Sequence, residues 1–187
     1  MIYRDVIQGA PVGDKVAIIG AGGIGFDVAE LLSHGASSPS LDIPTFMAEW
    51  GIDMTFSARG GVEGVTPKSS PSPRQISLMQ RKESKVGAGL GKTSGWAHRT
   101  GLKHKGIQMI RGCTYHKIDD QGLHYSSNGE DHILEVDNVI LCAGQTPLRD
   151  LVNGLEKPYQ LIGGADVAAE LDAKRAIDQG TRLAAAI

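Results

Sequence analysis

The sequence predicts an α/β protein built on a parallel sheet, and three observations carry that reading. Val16-Ala17-Ile18-Ile19 is a continuous apolar run rich in β-branched residues, the pattern of a parallel strand buried on both faces. The turn Gly20-x-Gly22-x-x-Gly25 follows at once, and Ile24, Val28, Leu31 and Leu32 then recur at helical spacing. A second buried-strand pattern, Val139-Ile140-Leu141-Cys142, returns far along the chain after a stretch of period-2 alternation.

Composition bounds the function classes. The 187 residues suffice to bury one core, or one and a fraction. With 19 Lys+Arg against 21 Asp+Glu, no global field steers the chain toward nucleic acid or an anionic membrane, and neither is an expected partner. The apolar runs fall far short of a membrane span, and Met1-Ile2-Tyr3-Arg4-Asp5 lacks the regions of a signal peptide, so a cytoplasmic location is expected. Cys113 and Cys142 lie far apart without a CxxC, and the histidines have no HExxH spacing; no metal site is expected.

Residues 1–14, with Gly9, Pro11 and Gly13, read as a lead-in linker in which Tyr3 to Ile7 is extended. After the first strand and helix, Gly35 is the expected C-cap, and the segment to Pro73 is dense in Ser, Pro and Gly. Within it, Pro44 to Trp50 fits a short helix and Met54 to Ala58 a short strand. Gln75 to Gln80 is the second parallel strand. Val86 to Thr93 resembles the phosphate loop of nucleoside triphosphatases but has Val86 at the first glycine position and follows a charged run, so it reads as a loop near the nucleotide. Thr93 or Ser94 caps a helix to about His104, and Ile107 to Ile110 is a third strand. Cys113 to Asp119, Gly122 to Ser126 and His132 to Glu135 alternate around Asp-Gln-Gly and Asn-Gly turns, an antiparallel meander in the crossover to the 139–142 strand. The tail is read as a strand, Tyr159 to Ile162, then a glycine turn and a helix from Leu171 to Ile187.

The glycine turn carries the chemistry. Gly20 suits the tight turn, Gly22 the approach of backbone to a pyrophosphate, and Gly25 the close packing of helix on strand. The helix start offers unpaired N–H groups and a positive dipole end to phosphate. Strand before and helix after supply the context of a Rossmann-like dinucleotide-binding unit. A domain preferring NAD places an acid at the end of the second strand, whereas NADP needs a cation for its 2′-phosphate, and here Arg81 and Lys82 stand there. Arg59, after the strand expected at Met54 to Ala58, is the competing candidate, and a solvated charged turn is the plain alternative.

This order of motifs is similar to the C-terminal region of two-dinucleotide flavin reductases. More narrowly, Ala10 to Ala29, Ile140 to Gln145 and Gly163 to Ala173 resemble the bacterial NADPH-dependent 2,4-dienoyl-CoA reductase family. The resemblance implies a fold, an NADPH domain inserted into an FAD domain, with hydride passing from NADPH to FAD. It also implies FMN and a 4Fe–4S cluster in an N-terminal barrel that this chain lacks, and unsaturated fatty acid oxidation as the setting. Position by position, it implies that Gly20, Gly22, Gly23, Ile24 and Gly25 hold the NADPH pyrophosphate, Arg81 and Lys82 the 2′-phosphate, and Asp27 a place near the nicotinamide. It sets Ala143 and Gly144 along the ligand crevice and Gly164, Ala165 and Asp166 at the FAD contact, with Ala165 as an insertion before Asp166. Expected domains are thus the linker 1–14, an NADPH-binding domain over 15–150 and the C-terminal part of an incomplete FAD domain over 151–187. On this reading the chain alone is inactive, holds no catalytic acid, base or nucleophile, and self-associates through its last helix. A sister flavin reductase or amine dehydrogenase of the same layout, and a nucleotide-binding module without electron transfer, are the alternatives.

Overall fold

A computed structural model describes residues 1–35, 38–169 and 171–187, in two compact units, Met1–Ala143 and Gly144–Ile187. The division falls earlier than the expected boundary at 150, and residues 1–14 belong to the first unit.

The chain opens with α1 (Tyr3–Ile7), where extended chain was expected. The Asp5 carboxylate accepts from the Ile2 N–H at 3.1 Å, closing the first turn, and Val6 enters the core. Gly13 donates to the Asn138 side chain at 2.7 Å and Lys15 N–H to Asp137 at 2.8 Å, so the approach to the sheet is pinned. Strand β1 (Lys15–Ile19) and helix α2 (Gly23–Ser33) follow as read. Helix α2 ends at His34 in extended conformation, not at a glycine cap: Arg74 donates to the Leu32 carbonyl and the Ser33 hydroxyl to the Glu30 carbonyl, satisfying two of the last carbonyls. Helix α3 (Ile43–Glu49) matches the expected short helix, with Asp42 as its N-cap.

The strand expected at Met54 to Ala58 does not form. The Asp53 carboxylate accepts from the N–H groups of Thr55, Ser57 and Ala58, which curls this segment into a turn. Phe56, at φ 59°, lies in the left-handed region. Beyond it come β2 (Gln75–Met79), α4 (Gly95–His104) and β3 (Gln108–Ile110). The meander forms as β4 (Thr114–Asp119), β5 (Gly122–Ser127) and β6 (Glu130–Leu134), and β7 (Asn138–Leu141) closes the unit.

The parallel sheet runs β3-β2-β1-β7 and the antiparallel one β4-β5-β6. Strand β1 is central, with Ile19 opposite both Met79 and Leu141. Alternation along the strands divides the core. Val16, Ile18, Ile76, Leu78 and Ile140 face Phe26, Val28 and Leu32 of α2 and Leu102 of α4. Ala17 and Met79 face Cys113, Leu123 and Tyr125 on the meander side. Each fully buried Ile, Leu or Phe contributes about 1.5–3 kcal/mol.

Helix and sheet meet most closely at the turn. Gly20, at φ 110°, lies where a Cβ would stand 2.7 Å from the Cys142 carbonyl carbon. A Cβ on Gly25 would collide with the Gly20 carbonyl oxygen and come within 3.4 Å of Leu78.

In the second unit, Tyr159 to Ile162 is irregular instead of a strand; it follows Pro158 and has no partner strand among the described residues. Helix α5 (Ala173–Ala186) forms with Asp172 as its N-cap, the carboxylate accepting from Arg175 N–H at 2.8 Å. No α5 residue is fully buried, and Ile177 is 67% exposed.

Two outcomes follow from this packing. Gly25→Ala should destabilise the first unit by about 1–3 kcal/mol in urea unfolding, as overpacking does, whereas Gly23→Ala, where the added methyl meets nothing within 4 Å, should be neutral or slightly stabilising. Amide hydrogen exchange should be faster across α5 than across β1 and β7 at low protein concentration; equal protection in a demonstrated monomer would contradict it.

Candidate nucleotide-binding site

The site is built where β1 stops. The Gly20 N–H donates to the Met79 carbonyl at 2.9 Å, and the Cys142 N–H to the Ile19 carbonyl at 2.8 Å, so the turn is anchored to the ends of both neighbouring strands. From Gly20 the backbone crosses to Gly22, the N-cap of α2, whose carbonyl accepts from Phe26 N–H at 3.1 Å. Gly22 and Gly23 are exposed with open space where a Cβ would be, and Ile24 is half-buried. The first N–H groups of α2 have no partner within the helix by its geometry, so an anion can approach backbone donors here without meeting a side chain.

Asp27 is exposed on α2, one turn beyond Gly23. Ala143 directly follows Cys142, with its amide nitrogen 2.9 Å from where a Gly20 Cβ would lie. Because β7 follows β3 in the chain yet lies on the other side of β1, the strand order reverses between β1 and β7, the position where open α/β sheets bind ligands.

Strand β2 delivers the cations. Its register sets Gln80 next to Gly20 along the strand ends, and Arg81 and Lys82, both exposed, come directly after. Arg81 is within electrostatic reach of Tyr115: burial pushes that phenol above the usual tyrosine range, and the Arg81 charge opposes the shift. Arg59 stands instead in a 3₁₀ turn over Arg59–Gly61, at the end of no strand.

Gly144 opens the second unit, which also holds Gly164, Ala165 and Asp166. Gly163–Ala165 is a 3₁₀ turn whose position is set by Arg149, donating to the carbonyls of Ala165 and Asp166 at 2.7 Å each. Gln179 of α5 accepts from Gly163 N–H at 2.8 Å and donates to the Asp166 carboxylate at 3.1 Å. The predicted residues thus fall into two sets: Gly20 to Asp27, Arg81, Lys82 and Ala143 in the first unit, and Gly144 and Gly164 to Asp166 in the second.

Sequence reading did not anticipate Gln80, Arg149 or Gln179, whose hydrogen bonds to backbone, and for Gln179 also to the Asp166 carboxylate, leave no spacing pattern. It also did not anticipate a cavity of about 260 Å³ bordered by α2, α3 and α4, apart from the glycine turn. Phe46 and Trp50 line it with the Glu30–His98 pair at 3.4 Å, and Trp96 packs edge-on to Trp50. The meander histidines are separate: His116 pairs with Ser126, His124 with Asp119, and His132 stacks on Tyr125. Among the described residues no three His, Cys, Asp or Glu gather to hold a metal, and no helix is long and apolar enough to cross a membrane.

Both cysteines are free, and burial pushes both thiols up, Cys142 to about 11. Neither is poised as a thiolate nucleophile near neutral pH.

The fold has relatives among solved structures. A 2-naphthoyl-CoA reductase in complex with 2-naphthoyl-CoA aligns over 96% of this chain and 22% of its own, at 19% identity and a TM-score of 0.63. Histamine dehydrogenase from Rhizobium sp. 4-9 aligns over 98% of this chain and 25% of its own, at 16% identity and a TM-score of 0.62. The 6-hydroxypseudooxynicotine amine oxidase from Pseudomonas geniculata N1 aligns over 97% and 23%, at 14% identity and a TM-score of 0.62. The chain therefore spans about a quarter of the length of each, and at these identities the likeness is one of fold. The family model described as pyridine nucleotide-disulphide oxidoreductase matches residues 4–174, from α1 to the start of α5, and the chain belongs to that family.

Proposed function

We propose that this chain is the NADPH-binding part of a flavin-dependent oxidoreductase that passes hydride from NADPH to FAD, of the 2,4-dienoyl-CoA reductase type. The observation that carries the nucleotide half of this reading is the parallel register of β1 with β2, which puts the glycine turn and the Arg81-Lys82 pair on adjacent strand ends. The residues present fit a dinucleotide: backbone donors open to solvent at Gly22 and Gly23, no room for a Cβ at Gly20 or Gly25, and two cations beyond β2. Gly20, Gly22, Gly23, Ile24 and Gly25 hold the pyrophosphate, Arg81 and Lys82 the 2′-phosphate, with Asp27 and Ala143 along the crevice. NADPH, when bound, supplies the hydride; the chain's own work is to bind and orient it.

For FAD, the reading assigns the contact to Gly164, Ala165 and Asp166 of the second unit. Arg149 and Gln179 hold that segment in one conformation, the kind of preorganisation a cofactor contact requires. FMN and a 4Fe–4S cluster belong to the intact enzyme of this type and have no assigned residues here. Family membership supports the redox class, and the fold shared with 2-naphthoyl-CoA reductase fits the thioester reading.

Histamine dehydrogenase, equally similar in fold, favours an amine dehydrogenase as the second reading. An enzyme whose amine substrate supplies the electrons has no need of a 2′-phosphate reader, so cofactor preference separates the two. Calorimetric titration should show NADPH binding at least about tenfold more tightly than NADH, since each charge-assisted contact is worth roughly 1.5–3 kcal/mol. The pair Arg81→Ala with Lys82→Ala should erase the difference; equal affinities in the unsubstituted chain would refute the assignment.

The thiols provide a further check on the kind of redox chemistry. With its thiol at about 11, Cys142 should alkylate with iodoacetamide slowly at pH 8, where about one part in a thousand is thiolate, and roughly tenfold faster per pH unit until the pH approaches that value. Fast labelling at pH 7 would point instead to thiol chemistry at the crevice.

A further inference from the structure

We propose that Gln80 is the positioning residue for 2′-phosphate recognition: its side-chain amide holds the loop carrying Arg81 and Lys82, and so sets the preference for NADPH over NADH. This rests on the reading of Arg81 and Lys82 given above and adds to it the device that keeps them in place.

Gln80 is half-buried just past the end of β2. Its backbone is locked on one side, the N–H donating to the Ile110 carbonyl at 2.9 Å and the carbonyl accepting from Cys113 N–H at 3.0 Å. From that fixed base the side-chain nitrogen donates to the Lys82 carbonyl at 2.9 Å and to the Ser84 carbonyl at 2.7 Å. Both partners are carbonyl oxygens, which only accept, so the nitrogen and not the oxygen of the amide must face them. Its two hydrogens are thereby both used, one on each side of Glu83.

The same loop is held from the other side. Gly112 N–H, in the connection from β3 to β4, donates to the Lys82 carbonyl at 3.1 Å, and the Glu83 carboxylate lies over Gly112 where a Cβ would be. Backbone over residues 80–84 is thus curled around one side chain, with Arg81 on the curve. Phosphate recognition by a guanidinium depends on where its fork is aimed, and holding the backbone beforehand removes the ordering cost at binding. NADH has no 2′-phosphate and gains nothing from this order. Loosening the loop should therefore weaken NADPH and leave NADH unchanged.

Gln80→Met tests this, because it keeps length and approximate volume while removing the amide and with it both donors. The full chain, its Gln80→Met variant, the Arg81→Ala/Lys82→Ala variant and the combination of all three substitutions are titrated with NADPH and NADH by calorimetry. We expect Gln80→Met to weaken NADPH about five- to tenfold with NADH within about twofold, and to have no further effect once both cations are gone. Gln80→Asn, which keeps the amide but is too short to reach both carbonyls, should lose part of the preference and serves if the Met variant does not fold. Unchanged NADPH preference in the variants, an equal loss for NADH, or the same loss when the cations are already absent would overturn the role of Gln80. Equal NADPH and NADH affinity in the unsubstituted chain would overturn the Arg81-Lys82 reading itself, and the role of Gln80 with it.

Discussion

Two backbone hydrogen bonds, from Gly20 to the Met79 carbonyl and from Cys142 to the Ile19 carbonyl, tie the end of the central strand to both neighbours where the chain turns into α2. The arrangement of the first unit depends on this closure. It sets the depth at which α2 begins, and hence where its first N–H groups open to solvent. It leaves no volume for side chains at Gly20 or Gly25, so the helix is drawn onto the strand by backbone contact, with Phe26 and Val28 packed beneath. The ends of β2 and β7 thereby flank the turn on its two sides.

The two faces of the parallel sheet are used differently. One is covered by helices through branched aliphatic side chains, and the other by the meander through Ala17, Met79 and Leu123. The meander connection therefore contributes to the core, and it supplies Cys113 and the approach to β4 against which the end of β2 is fastened. The residues that follow β2 are steadied from the meander side, and the glycine turn is steadied by the sheet.

Much of this was legible in the sequence because the governing signals are periodic. Val16 to Ile19, Gln75 to Met79, the α2 pattern and the three meander strands formed with shifts of only a few residues at their ends. The failures have local causes. Tyr3 to Ile7 is too short for its period to distinguish helix from strand, and the Asp5 to Ile2 bond with burial of Val6 decided it. Met54 to Ala58 looks extended until the competition from the Asp53 carboxylate is counted. Tyr159 to Ile162 has the composition of a strand but no strand to pair with, and pairing is not a local property. The glycines and cations of the proposed site were open to sequence reading because phosphate chemistry restricts residue type, whereas Gln80 and Arg149 donate to backbone carbonyls and Gln179 accepts from the Gly163 N–H, backbone groups that any sequence supplies.

The edges of both sheets bear on how the chain behaves at high concentration. An unpaired strand edge is a template for another chain, and here each is defended in its own way. Strand β3 offers only three residues, and β7 is overlaid by the Ile2 bridge to Leu141. In the meander, β4 is broken by a bulge between Tyr115 and Lys117, while β6 begins with Glu130 and Asp131. A β-rich crossover is thus kept from recruiting strands from its neighbours, so resistance to aggregation is built into the same segment that completes the core.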